Sequence, residues 1–466
     1  MTYVPESRLQ CFNVKYLHQY LCVFAACMSY FLNGYQWGYL SPALVKLGEN
    51  GYHKIPPLSS YAQSWMVQWL TIGFTPGAFF ASYSNQWIGR KNSLLCAFIP
   101  NLVAHLCTYF AMNVNMLYLS QFLRGFHTGW VFVTVPNYVS EIASPKLRGS
   151  FSAMGIVFMT IGSRVVSSTV QSVTSIETTA LIGIIISLVD LPLVLSISES
   201  PYYCLMKNNE RKSMDILKKL RNSQNIGKEF EEMKSIFNKN QQMKKSSSWI
   251  KLFSESINLK VTLLTAGAVT IFQLSGQLPL SHYAHKIIKG TGLNVSLLTI
   301  SIFISATRLI PNLIGVFVID SWGRKPLFIL LCALSATGHF LIAFPMFLMD
   351  NTDTHNTKLL GILEFIGLAI FEIAEGFGFT HMAYTLAAEL YPTNIKPKGA
   401  SFLKILQSVE GLIVMQMFEL LTNINQFIPF LCMAVASSFG VAFGILFVPE
   451  TKSKSLSKIQ EDLNLP

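Results

Sequence analysis

From about residue 18 onward the chain is built of apolar runs of about 20 residues separated by short polar turns. Twelve runs can be counted, at 18–40, 62–84, 93–113, 116–138, 150–171, 178–198, 260–284, 296–319, 326–348, 359–388, 401–422 and 427–448. Each is long enough, at 1.5 Å per residue, to cross a hydrocarbon core of roughly 30 Å as an α-helix. The pattern therefore predicts an all-α membrane protein with twelve transmembrane helices. The first run is long and lacks a small-residue cleavage pattern, so it is expected to stay as a span. One long polar stretch, 203–259, breaks the series six and six. Within it, KNNERKSMDILKKLRN and KEFEEMKSIFNK read as amphipathic helices. The expected organisation is a terminus (1–17), a six-helix half (18–202), a helical linker (203–259), a second six-helix half (260–448) and a tail (449–466).

Composition agrees: 51% of residues are hydrophobic and only 13% charged, against about 25% charged in soluble chains. The net charge of +11 would suit a polyanion, but its placement argues for topology instead. Of the 35 Lys and Arg, 26 lie in segments on the side of the termini, five in loops on the other side, and four inside spans, Arg124, Arg164, Arg308 and Lys404. That asymmetry sets both termini and the linker in the cytoplasm and excludes nucleic acid as the expected partner. The eight cysteines are scattered without CxxC spacing and read as inert packing residues. Asn294 heads the sequon Asn294-Val295-Ser296 at an outer helix mouth, a glycosylation candidate.

The two halves repeat. WIGRK (87–91) returns as SWGRK (321–325), EIASPKLR (141–148) as ELYPTNIK (389–396), and SESP (198–201) as VPET (448–451). Three motifs in the same order, always on the predicted cytoplasmic face, indicate a duplicated six-helix unit, and such units place a substrate site between them near mid-membrane. On these residues, together with LRGFHTGW (123–130) and VPETKSKSLSKI (448–459), the chain resembles the sugar porter family of the major facilitator superfamily along its whole length. LSPAL (40–44) is similar to the insect facilitated trehalose and hexose transporters.

The resemblance implies transport of a sugar or glycoside across the plasma membrane by alternating access, by a monomer without cofactor or metal. It also implies that Arg90, Lys91, Glu141, Arg148 and Glu199, with Asp320, Arg324, Lys325, Glu389, Lys396 and Glu450, pair across the cytoplasmic side as a gate. A cluster of partly buried ion pairs is a discrete two-state element, exchanged for water when one half rocks against the other. The first Gly-Arg-Lys motif departs from the family pattern, with Gln86 at its usual Asp, and Gln121 stands at the family's helix 4 Arg, one turn before Arg124. Glycine pairs Gly34/Gly38, Gly125/Gly129 and Gly440/Gly444 suit close helix approach.

The family's sugar ligands are thinly kept. Gln273 remains in F272QLSG276 and Gln277 follows it. Tyr384 replaces the helix 10 Trp, and Gln407 and Ser408 replace the helix 11 Asn-Trp pair. At a helix 8 position where several relatives place an Asn stands Arg308. It lies 12 residues before Asp320, roughly 18 Å along a helix and near mid-membrane. Three readings of Arg308 stand open. It binds an anionic group on the substrate, it pairs with Glu372 or Glu375 on helix 10, or it snorkels. Arg164, nearer the outer end of helix 5, reads first as a snorkelling residue and second as a site residue.

If both arginines face the pore, an anionic conjugate such as a sulfated glycoside or glucosinolate fits; otherwise the expectation is a neutral hexose or trehalose facilitator. The site candidates are thus Gln273, Gln277, Arg308, Tyr384, Glu375 and Arg164. Asp190, Glu372, Glu375 and Glu410 are candidates to carry a co-transported proton, although Gln36 stands where family symporters often have an Asp. Enzyme readings fail for want of a Walker loop, nucleophile elbow or metal spacing beyond His282-x-x-His285. A sugar sensor that moves nothing is the rival from another class. It typically carries a long signalling extension, and the tail after the last run here is 18 residues.

Overall fold

A computed structural model of the chain describes residues 17–144, 147–224, 226–246, 249–290, 293, 295–351, 357–392 and 395–451. Asn294, the first 16 residues and the tail after Thr451 lie outside the described residues, as do the side chains of Arg148 and Asp320.

The first half holds α1 (Leu17–Gly38) with its continuation α2 (Leu40–Glu49), then α3 (Ser60–Trp87), α4 (Arg90–Tyr109) and α5 (Val114–Ile142). Its fifth pass is interrupted: α6 (Arg148–Thr160) runs into a π-helical segment, Ile161–Ser167, before α7 (Ser168–Val173), and α8 (Ile176–Ser196) completes the half. Four helices, α9 (Pro201–Met206), α10 (Glu210–Arg221), α11 (Gly227–Ser246) and α12 (Ile250–Ser254), form the linker. The second half holds α13 (Ser256–Leu274) and α14 (Gln277–Gly290) as one broken pass, α15 (Leu297–Trp322) and α16 (Arg324–Asn351). A second broken pass, α17 (Thr357–Gly376) and α18 (Phe379–Leu390), is followed by α19 (Lys396–Ile424) and α20 (Ile428–Leu446). Every apolar run becomes a helical pass. The period does not foretell the breaks, which fall at Ser275–Gly276 and Phe377–Gly378, where Gly276 and Gly378 adopt positive φ of 78° and 96° and so end one helix and restart the next.

Among the described residues, seven helices are long and apolar enough to span a bilayer on length and composition alone. Others carry polar residues on inward faces, as α1 does with Gln19, Asn33 and Gln36, all buried. Lipid-facing apolar side chains are correspondingly exposed, Phe439 at 70% and Leu446 at 72%. Helix contacts are close where glycine allows. A Cβ on Gly34 or Gly38 would collide with the carbonyls of Met159 and Ser163, and one on Gly125 or Gly129 with those of Leu70 and Phe74. Gly440 and Gly444 face side chains instead, among them Cys332 and Phe328.

The linker folds onto the first half. Arg221 donates to Gln19 Oε1 at 3.0 Å and to the Ile142 carbonyl at 2.9 Å, and Leu205, Leu217, Ile226, Phe230 and Met233 form its own small core. The end of the bundle bearing the linker and the two Gly-Arg-Lys turns is the linker side; the opposite end is the far side. Each half has a core on the linker side. On the far side a single apolar core runs through both halves, from Leu44 and Met66 to Leu278, Tyr283, Phe371 and Phe418.

Candidate functional site

The linker-side charges form two nearly identical clusters. In the first half Arg90 Nη2 lies 2.8 Å from Glu141 Oε1, and the Glu199 carboxylate accepts from the amides of Arg90 at 2.9 Å and Lys91 at 3.2 Å. In the second, Arg324 Nη2 lies 2.9 Å from Glu389 Oε1, and Glu450 accepts from the amides of Arg324 at 3.0 Å and Lys325 at 3.2 Å. Lys91 and Lys325 donate to the carbonyls of Leu195 and Ile445, 2.7 and 2.8 Å. The turns allow it because Gly89 and Gly323 have φ of 94° and 96°, and a Cβ at either would strike the carboxylate that its helix start receives. Burial pushes the Glu199 carboxyl up, against backbone N–H groups and Arg90, which favour the anion. These described pairs join residues of the same half. Lys396 opens α19 with its side chain half-buried, and Gln86 is exposed, donating to the Ser82 carbonyl of its own helix.

At mid-depth, Arg308 Nη1 is 3.1 Å from Glu372 Oε2 and Nη2 is 3.3 Å from Glu375 Oε2. Both glutamates are buried, 0% and 3% exposed, so of the three readings of Arg308 the ion pair is the one formed. Arg164 joins the same group from the other half: its Nη2 lies 3.7 Å from Glu372 Oε1 and donates to Ser281 Oγ at 3.1 Å. The snorkelling reading of Arg164 is thereby overturned. Its physical reason is the π-helical segment, whose extra residue per turn re-aims Arg164 into the bundle. Two guanidiniums and two carboxylates balance, so the group carries no net charge when all four are ionised.

Around and beyond this quartet the halves are tied on the far side. His285 lies between Ser41 Oγ (2.9 Å) and Ser301 Oγ (2.7 Å), and Ser168 Oγ donates to Ser301 Oγ at 3.1 Å. Gln68 Nε2 donates to Gln416 Oε1 at 2.9 Å, and Lys289 pairs with Glu49. His282 packs on Trp37 with ring centres 5.5 Å apart; His285 is taken up by the serines.

The sugar-ligand candidates gather separately. Gln273 Nε2 donates to the Gln407 carbonyl at 3.0 Å, and Tyr384 Oη donates to Gln407 Oε1. Gln277 is half-buried at the start of α14. Into this group comes Lys404, donating to Gln407 Oε1 at 3.2 Å with its Nζ 3.8 Å from the centre of the Tyr384 ring. Sequence reading missed that role, although a lysine inside a span was itself a signal. Arg124, 1% exposed, sits over the Tyr39 ring at 4.4 Å and donates to Thr108 Oγ1 at 3.0 Å.

Residues 21–463 match the family model described as "Sugar (and other) transporter". The chain belongs to this family. It is 25% identical to the facilitated trehalose transporter Tret1 of Apis mellifera ligustica, over 96% of this chain and 88% of that one. It is also 25% identical to the sugar transporter ERD6-like 2 of Arabidopsis thaliana, over 93% and 91%. Among solved structures, the inward open conformation of the xylose transporter XylE from E. coli superposes with a TM-score of 0.77 at 18% identity, covering 95% of this chain and 99% of that one. This likeness carries the twelve-helix, two-half major facilitator fold.

Proposed function

We propose that the chain moves a sugar or glycoside across the plasma membrane by alternating access, and that the far-side contacts between the halves form one of its two gates. The observation that carries this is the asymmetry of the seam. A shared apolar core and polar ties such as Gln68–Gln416 and Ser41–His285–Ser301 join the halves on the far side, while the described Arg90–Glu141 and Arg324–Glu389 pairs stay within single halves. With the termini in the cytoplasm, as the basic residues predict, this is the state closed to the outside.

Glu372 is suited to the moving part. It meets Arg308 of its own half and Arg164 of the other. When the halves part, Arg164 goes to water and Glu372 keeps Arg308, so no buried carboxylate is left alone at a cost of several kcal/mol. The linker-side clusters would form the opposite gate, with the shared helix-start geometry keeping their charges poised. Of the four proton-carrier candidates, two have no described basic partner: Asp190, accepting from Ser29 at 3.1 Å, and Glu410, accepting from Thr270.

As for the cargo, the trehalose and sugar transport named for the relatives favours a sugar. An anionic group resting on Arg308 loses support, because two carboxylates already occupy that guanidinium. A second reading, a sensor that binds sugar without moving it, differs in one measurement. With Gln68→Cys and Gln416→Cys in a background without the eight native cysteines, oxidation should stop uptake of glucose or trehalose by oocytes, and reductant should restore it. Uptake that continues through a formed cross-link would sink alternating access at this seam. Sugar binding with no uptake in the reduced protein would favour the sensor.

A further inference from the structure

Lys404 lies in α19, two helical turns inside Lys396. Its Nζ is 4.8 Å from the centre of the Phe132 ring and 3.8 Å from that of Tyr384. Phe132 belongs to α5 in the first half; Tyr384 and Gln407 belong to the second. The ammonium therefore points into the seam between the halves, where it cannot snorkel to a lipid headgroup. An ammonium has three N–H donors. The described partners of this one are a single amide oxygen and two aromatic faces, and no carboxylate is among them. The arginines at mid-depth differ: Arg308 and Arg164 are met by Glu372 and Glu375. Positive charge that no described carboxylate balances thus stands beside Gln273, Gln407 and Tyr384, the neutral hydrogen-bonding and aromatic groups that suit a sugar ring.

Resting on the transport reading above, we propose that Lys404 determines substrate charge: its ammonium pairs with a carboxylate, sulfate or phosphate carried on the sugar, while Tyr384 and Gln407 hold the ring. A neutral sugar would leave the ammonium uncompensated in a site closing off from water. An anionic sugar completes the shell of donors, and the occluded pair crosses with its charge balanced.

The test is uptake by oocytes expressing wild type, Lys404→Gln or Lys404→Arg, matched for surface protein by biotinylation. The probes are glucuronate, glucose 6-sulfate, glucose 6-phosphate and glucose. Wild type should take up at least one of the three anions, and Lys404→Gln should lose that uptake by about tenfold or more, as sites lose a ligand whose polar group is left unmatched. Its glucose uptake should fall by much less than its anion uptake, and Lys404→Arg should keep the anion. Anion uptake unchanged in Lys404→Gln, or an equal loss of glucose and anion, would overturn the proposal. So would wild-type uptake of glucose with none of the anions, which leaves the transport reading standing. If wild type takes up none of the four, thermal stabilisation of the purified protein decides. Stabilisation by an anion that is lost in Lys404→Gln keeps the site and removes the transport reading; no stabilisation removes both.

Discussion

The two halves place Arg90, Glu141 and Glu199 and their counterparts Arg324, Glu389 and Glu450 in matching contacts within a few tenths of an ångström, yet treat a buried arginine in opposite ways. Arg124 of the first half has only neutral described partners, the Tyr39 ring, Thr108 and His105. Arg308 of the second has two carboxylates, and a third element, Arg164, reaches one of them from across the seam. The turns are alike because one geometric problem recurs in each half: a helix start with free amides, a glycine at positive φ and a carboxylate to receive them. The interiors differ because an arginine held by neutral dipoles within one half is fixed scaffold. On the proposed alternating-access reading, one balanced against a shared carboxylate can change partners as the halves move.

The sharpest way to break this contrast is to remove a carboxylate from one side and the lone cation from the other. Glu372→Ala strands Arg308 and Arg164 near a single remaining acid, and breaking a buried pair by one partner costs about 3–5 kcal/mol. The expected result is little folded protein at the surface and no measurable uptake. Arg124→Gln removes a charge that no described acid balances, so surface protein and uptake should stay within about threefold of wild type, since replacing buried charge by neutral groups is often close to neutral. Equal collapse of both variants, measured by surface biotinylation and uptake, would mean that Arg124 is no less coupled than Arg308.

Next comes the likeness between the linker-side clusters. If both serve the gate, Glu141→Arg and Glu389→Arg should each lower uptake by roughly tenfold, about 1.4 kcal/mol, a modest figure because both pairs are partly exposed. The exchange Arg324→Glu with Glu389→Arg should recover part of the loss. Glu389→Arg at the wild-type rate would remove the gate role. An effect in one half only would confine the gate role to that half.

The same contrast explains what the chain made legible. Twelve helices follow from apolar runs, and the paired turns follow from motifs repeated at matched positions, because both are local. The partners of Arg308 were within reach as well: Glu372 and Glu375 are acids at similar depth, and charges in a bilayer seek one another. Arg164 was not. Its burial depends on the π-helical segment Ile161–Ser167, and no hydrophobic period announces a change from i→i+4 to i→i+5 bonding. Lys404 was hidden for a different reason. Its position in a span is visible, but its choice of Tyr384 and Phe132 over lipid is a tertiary fact, made by the preceding helix α18 together with α5, distant in the chain.

The smallest effect should come from single hydrogen bonds, and it separates bonds across the seam from bonds inside a half. Ser301 accepts from Ser168 across the seam and meets His285 of its own half, whereas Ser335 meets Ser437 at 3.0 Å within the second half. A net hydrogen bond is worth about 1 kcal/mol, so Ser301→Ala should shift the equilibrium about fivefold toward a far side that is open. Ser335→Ala removes a comparable bond that both states keep, and should leave the equilibrium unmoved. The reporter is a cysteine in place of Gln68, which is 6% exposed in the closed far side, read by its labelling rate with a membrane-impermeant maleimide. Faster labelling in Ser301→Ala alone would assign the serine–histidine ties to the gate. Equal rates in the two variants would make them packing, and leave the apolar core of Leu278, Phe371 and Phe418 as what holds that side shut.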